Sequence, residues 1–333
     1  MISELPQLFG KNFLIGFVLP AMLLLLTLAF IGDLHGLTHF RATTEGLLAA
    51  DGKKDFGLPV LHLGLLVVAG WIAATLLLGV NYQITQALEG YGAFNPIGLL
   101  VHYRRWHYRR LVASSDGKPK TDKEKAAQDA AFITLAQDYP EDEALVLATR
   151  FGNALRASER YPQVIYYMEP MQIWTRLQSI APQSHLDFLA DQKASMDFFV
   201  NLWFLSLIAA AAELAAGYWV DHRVVWPLVA AALVAAFAAA NGARTQAMQY
   251  GELVKTTFDL YRGALAEQLG VVLPATLKEE RALWLSVSQG MLFRDRKAAA
   301  KWDAFRKKPD AKREPFAPAG RVANARPVKR WTL

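Results

Sequence analysis

Arg150, Asn153, Arg156 and Arg160 recur at helical spacing in a polar stretch, RFGNALRASERYP, of an otherwise apolar chain. At about 100° per residue they share one helical arc about 120° wide. Three guanidinium forks on one arc match the oxygens of lipid or nucleotide phosphates, which they can grip bidentately. The same forks suit pairing with Glu159, Glu169, Glu279 or Glu280, which would join helix to helix, or they face water. Pairing inside the fold is the expected use, with anion binding second.

Two smaller sets are also capable of chemistry. His62 and Glu213 are ionisable groups within otherwise apolar runs, where an unpartnered charge is costly. Counted inward from the same end of their runs, they lie at similar depth, so a hydrogen-bonded pair is expected, with His222 and Arg223 as rival partners for Glu213. Asp33, His35 and His39 include two histidines four residues apart, a metal-ligand spacing on a helix. Gly36 weakens the helix that spacing needs, and no third convincing ligand is at hand, so no metal is assigned. The sequence has no G-x-S-x-G, H-E-x-x-H, Walker A or complete G-x-G-x-x-G motif. Its cysteine count of zero removes thiol nucleophiles, disulfides and Cys-ligated metals. No catalytic residue and no cofactor is therefore assigned.

The elements that position these groups are dominated by four apolar runs, Phe13–Ile31, Leu58–Val80, Phe198–Gly217 and Val224–Gly242. Each has the roughly 20 residues that a helix needs to cross a bilayer. The first is too long and too poorly flanked for a cleaved signal peptide and reads as a retained span. The last two are alanine-rich, which lets helices approach closely. Lys/Arg counts orient the spans: three in 33–57 and one in 218–223, against thirteen in 81–197 and eighteen in 243–333. Both termini and the middle segment are then expected in the cytoplasm, with two small outer loops. The chain is thus read as an all-α integral membrane protein whose middle loop and C-terminal segment form a helical cytoplasmic domain. Its parts are an N-terminal hairpin over 1–80, a cytoplasmic domain over 81–197, a second hairpin over 198–242, C-terminal helices over 243–296 and a tail over 297–333.

Within the middle segment, residues 97–111 predict an interfacial helix in which Arg104, Arg105, Trp106, Arg109 and Arg110 meet anionic lipid. Interleaved Arg and aromatic residues also suit nucleic acid, but the adjacent span favours lipid. Pro140 followed by Glu141, Asp142 and Glu143 predicts the start of the arginine-bearing helix, which should stop before Pro162. Ser184 with Asp187, and Thr276 with Glu279, predict two further helix starts. The net charge of +6 resides in the tail, where eleven Lys/Arg face three Asp/Glu, and that composition predicts disorder.

The segments "LFGKNFLIGFVLP" at 8–20, "ALEGY" at 87–91, "ATRFGNALRASERYP" at 148–162, "WTRL" at 174–177 and "FDLYRGALAEQLGVVLPATLKEERALW" at 258–284 resemble a family. It is a group of bacterial four-span integral inner-membrane proteins with an RFGN-x-LRA-x-E motif and no characterised function. The resemblance extends over roughly residues 8–290, leaving the tail outside it. Thr175 replaces the proline of the family's tryptophan motif. The resemblance implies a bacterial inner membrane and implies no reaction. The expected function is a non-enzymatic scaffold, sensor or effector that meets anionic lipid and either itself or a protein partner, with nucleic acid not expected. An oligomeric channel or transporter-like assembly is the alternative, and a membrane enzyme acting on phosphate-bearing substrates comes third.

Overall fold

The computed structural model describes residues 10–38, 57–92, 95–117, 119, 121–292 and 296–306. Its helices are α1 (Lys11–Leu34), α2 (Gly57–Glu89), α3 (Val101–Ser115), α4 (Asp122–Asp138), α5 (Arg150–Tyr166), α6 (Pro170–Ile180), α7 (Gln183–Trp219), α8 (Trp226–Gln268), α9 (Leu277–Leu292) and α10 (Arg296–Ala300). No strand occurs among the described residues, which hold one isolated bridge between Val271 and Arg306. Helices α1, α2, α7 and α8 are long and apolar enough to cross a membrane, the architecture of a multi-pass membrane protein.

Two buried clusters organise the packing. The first runs through the four long helices and joins Phe13 and Phe17 of α1, Leu77 of α2, Val200 and Trp203 of α7, and Ala236, Ala239, Ala243 and Ala247 of α8. It continues into Phe151 and Leu155 of α5, so the bundle and the arginine-bearing helix share one core. The alanines recur every three or four residues along α8 and set one face of it against α7. At Gly242 a Cβ would meet the Phe199 ring at 2.5 Å, so the ring of α7 packs directly on the α8 backbone where no side chain intervenes. The second cluster builds a helical body from Ile173 and Leu177 of α6, Phe258 and Leu265 of α8, and Leu283, Trp284 and Val287 of α9.

Helix α8 belongs to both parts, and α7 reaches the second through His185, which lies 2.8 Å from the Thr257 hydroxyl of α8 and packs edge-on against Tyr261. At about 1.5 Å per residue, the 43 residues of α8 extend about 65 Å, roughly twice the hydrocarbon thickness of a bilayer. The helix expected to begin near Ser184 and run straight into the third span is continuous from Gln183, and α8 likewise continues past residue 243 to Gln268.

Four sequence expectations change. The arginine-bearing helix starts at Arg150, because the Thr149 hydroxyl caps it by accepting from Gly152 N at 3.0 Å. The acidic stretch forms only a 3-10 turn over Glu143–Leu145, capped by Asp142. The helix also passes through Pro162 to Tyr166: Pro162 is buried, and the hydroxyls of Tyr161 and Tyr166 donate to the Asp259 carboxylate at 2.7–3.0 Å. The Ser184–Asp187 cap is replaced by a start at Gln183 after Pro182, with no side-chain cap, whereas Thr276 and Glu279 do bond at the start of α9. Finally, the start of the tail, expected to be disordered, carries short helices over Arg296–Ala300 and Lys301–Phe305. Trp302 and Phe305 pack on the second cluster, and Val272 N donates to Phe305 O at 2.7 Å. Residues 307–333 lie outside the described residues.

Candidate functional site

The most deeply buried charged groups meet at the end of the bundle away from the helical body. Helix α1 closes there with a glycine cap: Gly36 takes φ +71°, and Leu37 N reaches back to Gly32 O at 2.7 Å. The glycine that weakens the helix needed for a metal pair thus has a different use, since the cap ends α1 just before His35. From α7, Glu213 presents its carboxylate to His35 Nε2 at 3.2 Å, with both side chains 1% exposed. On the other side of the ring, Nδ1 faces Asp221 Oδ1 at 3.0 Å.

The turn between α7 and α8 completes this node. Asp221 also accepts from Arg223 N at 3.1 Å, and Glu213 accepts from Val225 N at 2.9 Å. That amide reaches Glu213 because Val224 lies directly on Gly217, where a Cβ would come within 2.6 Å of the Val224 backbone. One buried carboxylate therefore joins the end of α1 to the end of α7 and the start of α8. Burial lowers the proton affinity of His35, but the bonds and charges of Asp221 and Glu213 outweigh it and leave the ring's pKa above its ordinary value. Burial likewise disfavours the charge on Asp221, and the His35 bond reverses this, holding the carboxyl below its usual range. The arrangement can hold a proton between two carboxylates.

The expected partner of Glu213 was His62, whose side chain lies outside the described residues, as does His39. Arg223 touches Asp221 through its amide and not Glu213 through its side chain. The sequence reading missed His35 as the partner, although a usable signal was present. His35 follows the first apolar run directly and so lies at the same end of the bundle as the close of the third.

The arginine group divides. Asn153 is fully buried and binds its own chain: Oδ1 accepts from Leu147 N at 2.7 Å, and Nδ2 donates to Leu147 O and Thr149 O. It is a brace for the turn before α5. Arg150 is exposed. Arg156 donates to the Tyr91 hydroxyl and lies 3.6 Å from Glu159, which burial holds above its ordinary pKa while Arg156 lowers it. Arg160 pairs with Glu141 at 3.0 Å and donates to Gln163. Of the four carboxylates proposed as partners, Glu159 is engaged by Arg156, and Glu280 by Arg262 at 2.8 Å. Glu89, at the end of α2, lies within electrostatic range of Arg156 and Glu159, and Gly152 packs on its backbone. The motifs at 87–91 and 148–162 are thus one contact in space.

The basic helix has two sides. Arg109 pairs with Glu143 at 2.6 Å, and Arg105 donates to Ala144 O at 3.4 Å, tying α3 to the turn before α5. Trp106 is exposed with Arg110 over its ring at 5.7 Å, and Arg104 stacks on Tyr103 at 5.5 Å. No protein-family model matches this chain, and neither the characterised proteins nor the solved structures include one similar to it.

Proposed function

We propose that this chain is a non-enzymatic sensor of a bacterial inner membrane that transmits a change at one end of its bundle to the other. Its helical body faces the cytoplasm with both termini and meets a protein partner. The observation that carries the proposal is the node itself. Glu213 joins α1, α7 and α8 at the outer end, and α7 and α8 then run unbroken into the body. A change at the node acts on α8, which is also a wall of the second core, and on α7, which meets α8 beside that core through His185; this is the contiguous physical link that coupling between distant sites uses. The Lys/Arg distribution supports an orientation with the node outside and the body inside. Exposed Trp106 and Arg110 of α3 add a surface that suits anionic lipid.

The test is amide exchange of the purified protein in nanodiscs at one pH. Glu213→Gln should speed exchange at the outer turn and also over residues 250–268 and 277–292. Acceleration confined to the turn would overturn the sensor reading, because the rods would then carry nothing to the body.

A further inference from the structure

Around the buried Tyr139, basic groups of α3 meet the first residue of α5. The Tyr139 hydroxyl lies 2.9 Å from His107 Nδ1, and the two rings stack at 6.0 Å between centroids. Arg104 of α3 stands beside the same hydroxyl, and the charge of Arg150 acts on both Tyr139 and His107. Burial lowers the pKa of His107, and the charges of Arg104, Arg150 and Arg110 lower it further. Asp138, the carboxylate that opposes them, is already engaged: both its oxygens accept from Arg244 at 2.6–3.2 Å. Among the described residues no carboxylate pairs with Arg104, Arg110 or Arg150. Their positive charges are therefore unneutralised, and Arg104 is half-buried, where an unmatched charge costs more than in open water.

Three links set the depth of this group. Asp138, next to Tyr139, is bound to Arg244, just past the apolar run of α8 that ends at Gly242. Phe151, next to Arg150, belongs to the buried core shared with the long helices. Helix α3 follows α2 through the turn Pro96–Leu100, and Leu99 of that turn is 77% exposed. With the four long helices in a bilayer, the basic group stands where the apolar runs end, at headgroup level. We propose that Arg104, Arg110 and Arg150 bind the phosphate of a phospholipid whose headgroup carries net negative charge. Guanidinium forks match phosphate oxygens, and the missing counter-charge is what an anionic headgroup supplies. A zwitterionic headgroup brings its own cation into a field that is already positive. Exposed Tyr103 and Trp106 on the same helix suit the adjoining interface. The site is more than a basic surface on α3, because Arg150 comes from a second helix. This inference needs the spans to stand in a bilayer, but it does not need the sensor reading.

The experiment is native mass spectrometry of the full chain in detergent, titrated with phosphatidylglycerol and phosphatidylcholine of identical acyl chains and, separately, with inorganic phosphate. One phosphatidylglycerol should be retained about tenfold more tightly than phosphatidylcholine. Arg150→Gln and Arg110→Gln, both at exposed positions, should each weaken phosphatidylglycerol about fivefold and leave phosphatidylcholine unchanged. Lys123→Gln removes one exposed charge at the opposite end of α4 from Tyr139 and should change neither. Equal retention of the two lipids, or phosphatidylglycerol binding intact in both arginine variants, would overturn the proposal. So would a loss as large in Lys123→Gln as in Arg150→Gln, which would reduce the effect to net charge. Inorganic phosphate bound as tightly as the lipid would overturn it too, by making a soluble phosphate the ligand.

Discussion

A neutral imidazole has one N–H, so only the protonated His35 ring can donate to Asp221 and Glu213 at once. Its folded pKa lies above the ordinary 6.5. The stabilisation it provides is therefore complete below that value and is lost as pH rises through the folded one. For Asp221 the sign is opposite: its contribution is present above its ordinary 3.8 and is lost as pH falls through its lowered value. The gap in melting temperature between the wild type and His35→Gln should therefore narrow as pH rises above the ordinary histidine value of 6.5. A gap that widens over this range would mean that the folded ring is neutral. Asn153 makes a second residue-scale case. Asn153→Ala leaves the Leu147 amide without its acceptor and should cost about 1–3 kcal/mol. Arg150→Ala, at an exposed position, should stay within about 0.5 kcal/mol. Denaturation of both variants in detergent checks the contrast, and equal losses would mean that the arginine arc, not the asparagine brace, holds α5.

At the scale of elements, the close contact between α7 and α8 depends on small residues. Ala243 is fully buried in the first cluster beside Ala239 and Ala247. Ala243→Leu should cost about 1–3 kcal/mol, because the packed helices have no room for three more carbons. Gly217→Ala is more pointed. Its Cβ would collide with the Val224 backbone and pull the Val225 amide away from Glu213. We expect Gly217→Ala to lower the melting temperature and to flatten the pH dependence attributed to His35. An unchanged pH profile would separate the turn from the node. The node is also testable as a pair: His35→Ala and Glu213→Gln should couple strongly in a double-mutant cycle, and additive losses would show that they do not meet.

For the whole molecule, the absence of cysteine makes topology directly measurable. Single cysteines at Thr43 and Asp116 should react with an impermeant thiol reagent from opposite sides of the membrane, and reaction of both from one side would refute the four-span orientation. Truncation after Arg296 should lower stability, because it removes Trp302 and Phe305 from the second cluster together with the carbonyl that receives Val272 N. A truncated protein with the full-length melting temperature would return residues 297–306 to the disorder that their charge predicts.

The four long helices were readable from the chain because length and apolarity of a run are local properties, as are the Thr276 cap and the alanine face of α8. The charge of residues 297–306 was also local, yet it misled: a single tryptophan and phenylalanine in contact with the body outweigh a basic composition. Tertiary structure alone decided which groups meet. His35 and Glu213 are 178 residues apart in sequence, and Asp221 joins them only after the turn folds back over Gly217. Asn153 looked like part of a polar surface because helical spacing places it beside three arginines. Its burial follows from where the preceding five residues turn, a feature that periodicity within the helix does not encode. Depth in the membrane narrowed the candidates for Glu213, but a depth is shared by every helix that crosses it. The choice among them rests on how the helices pack side by side.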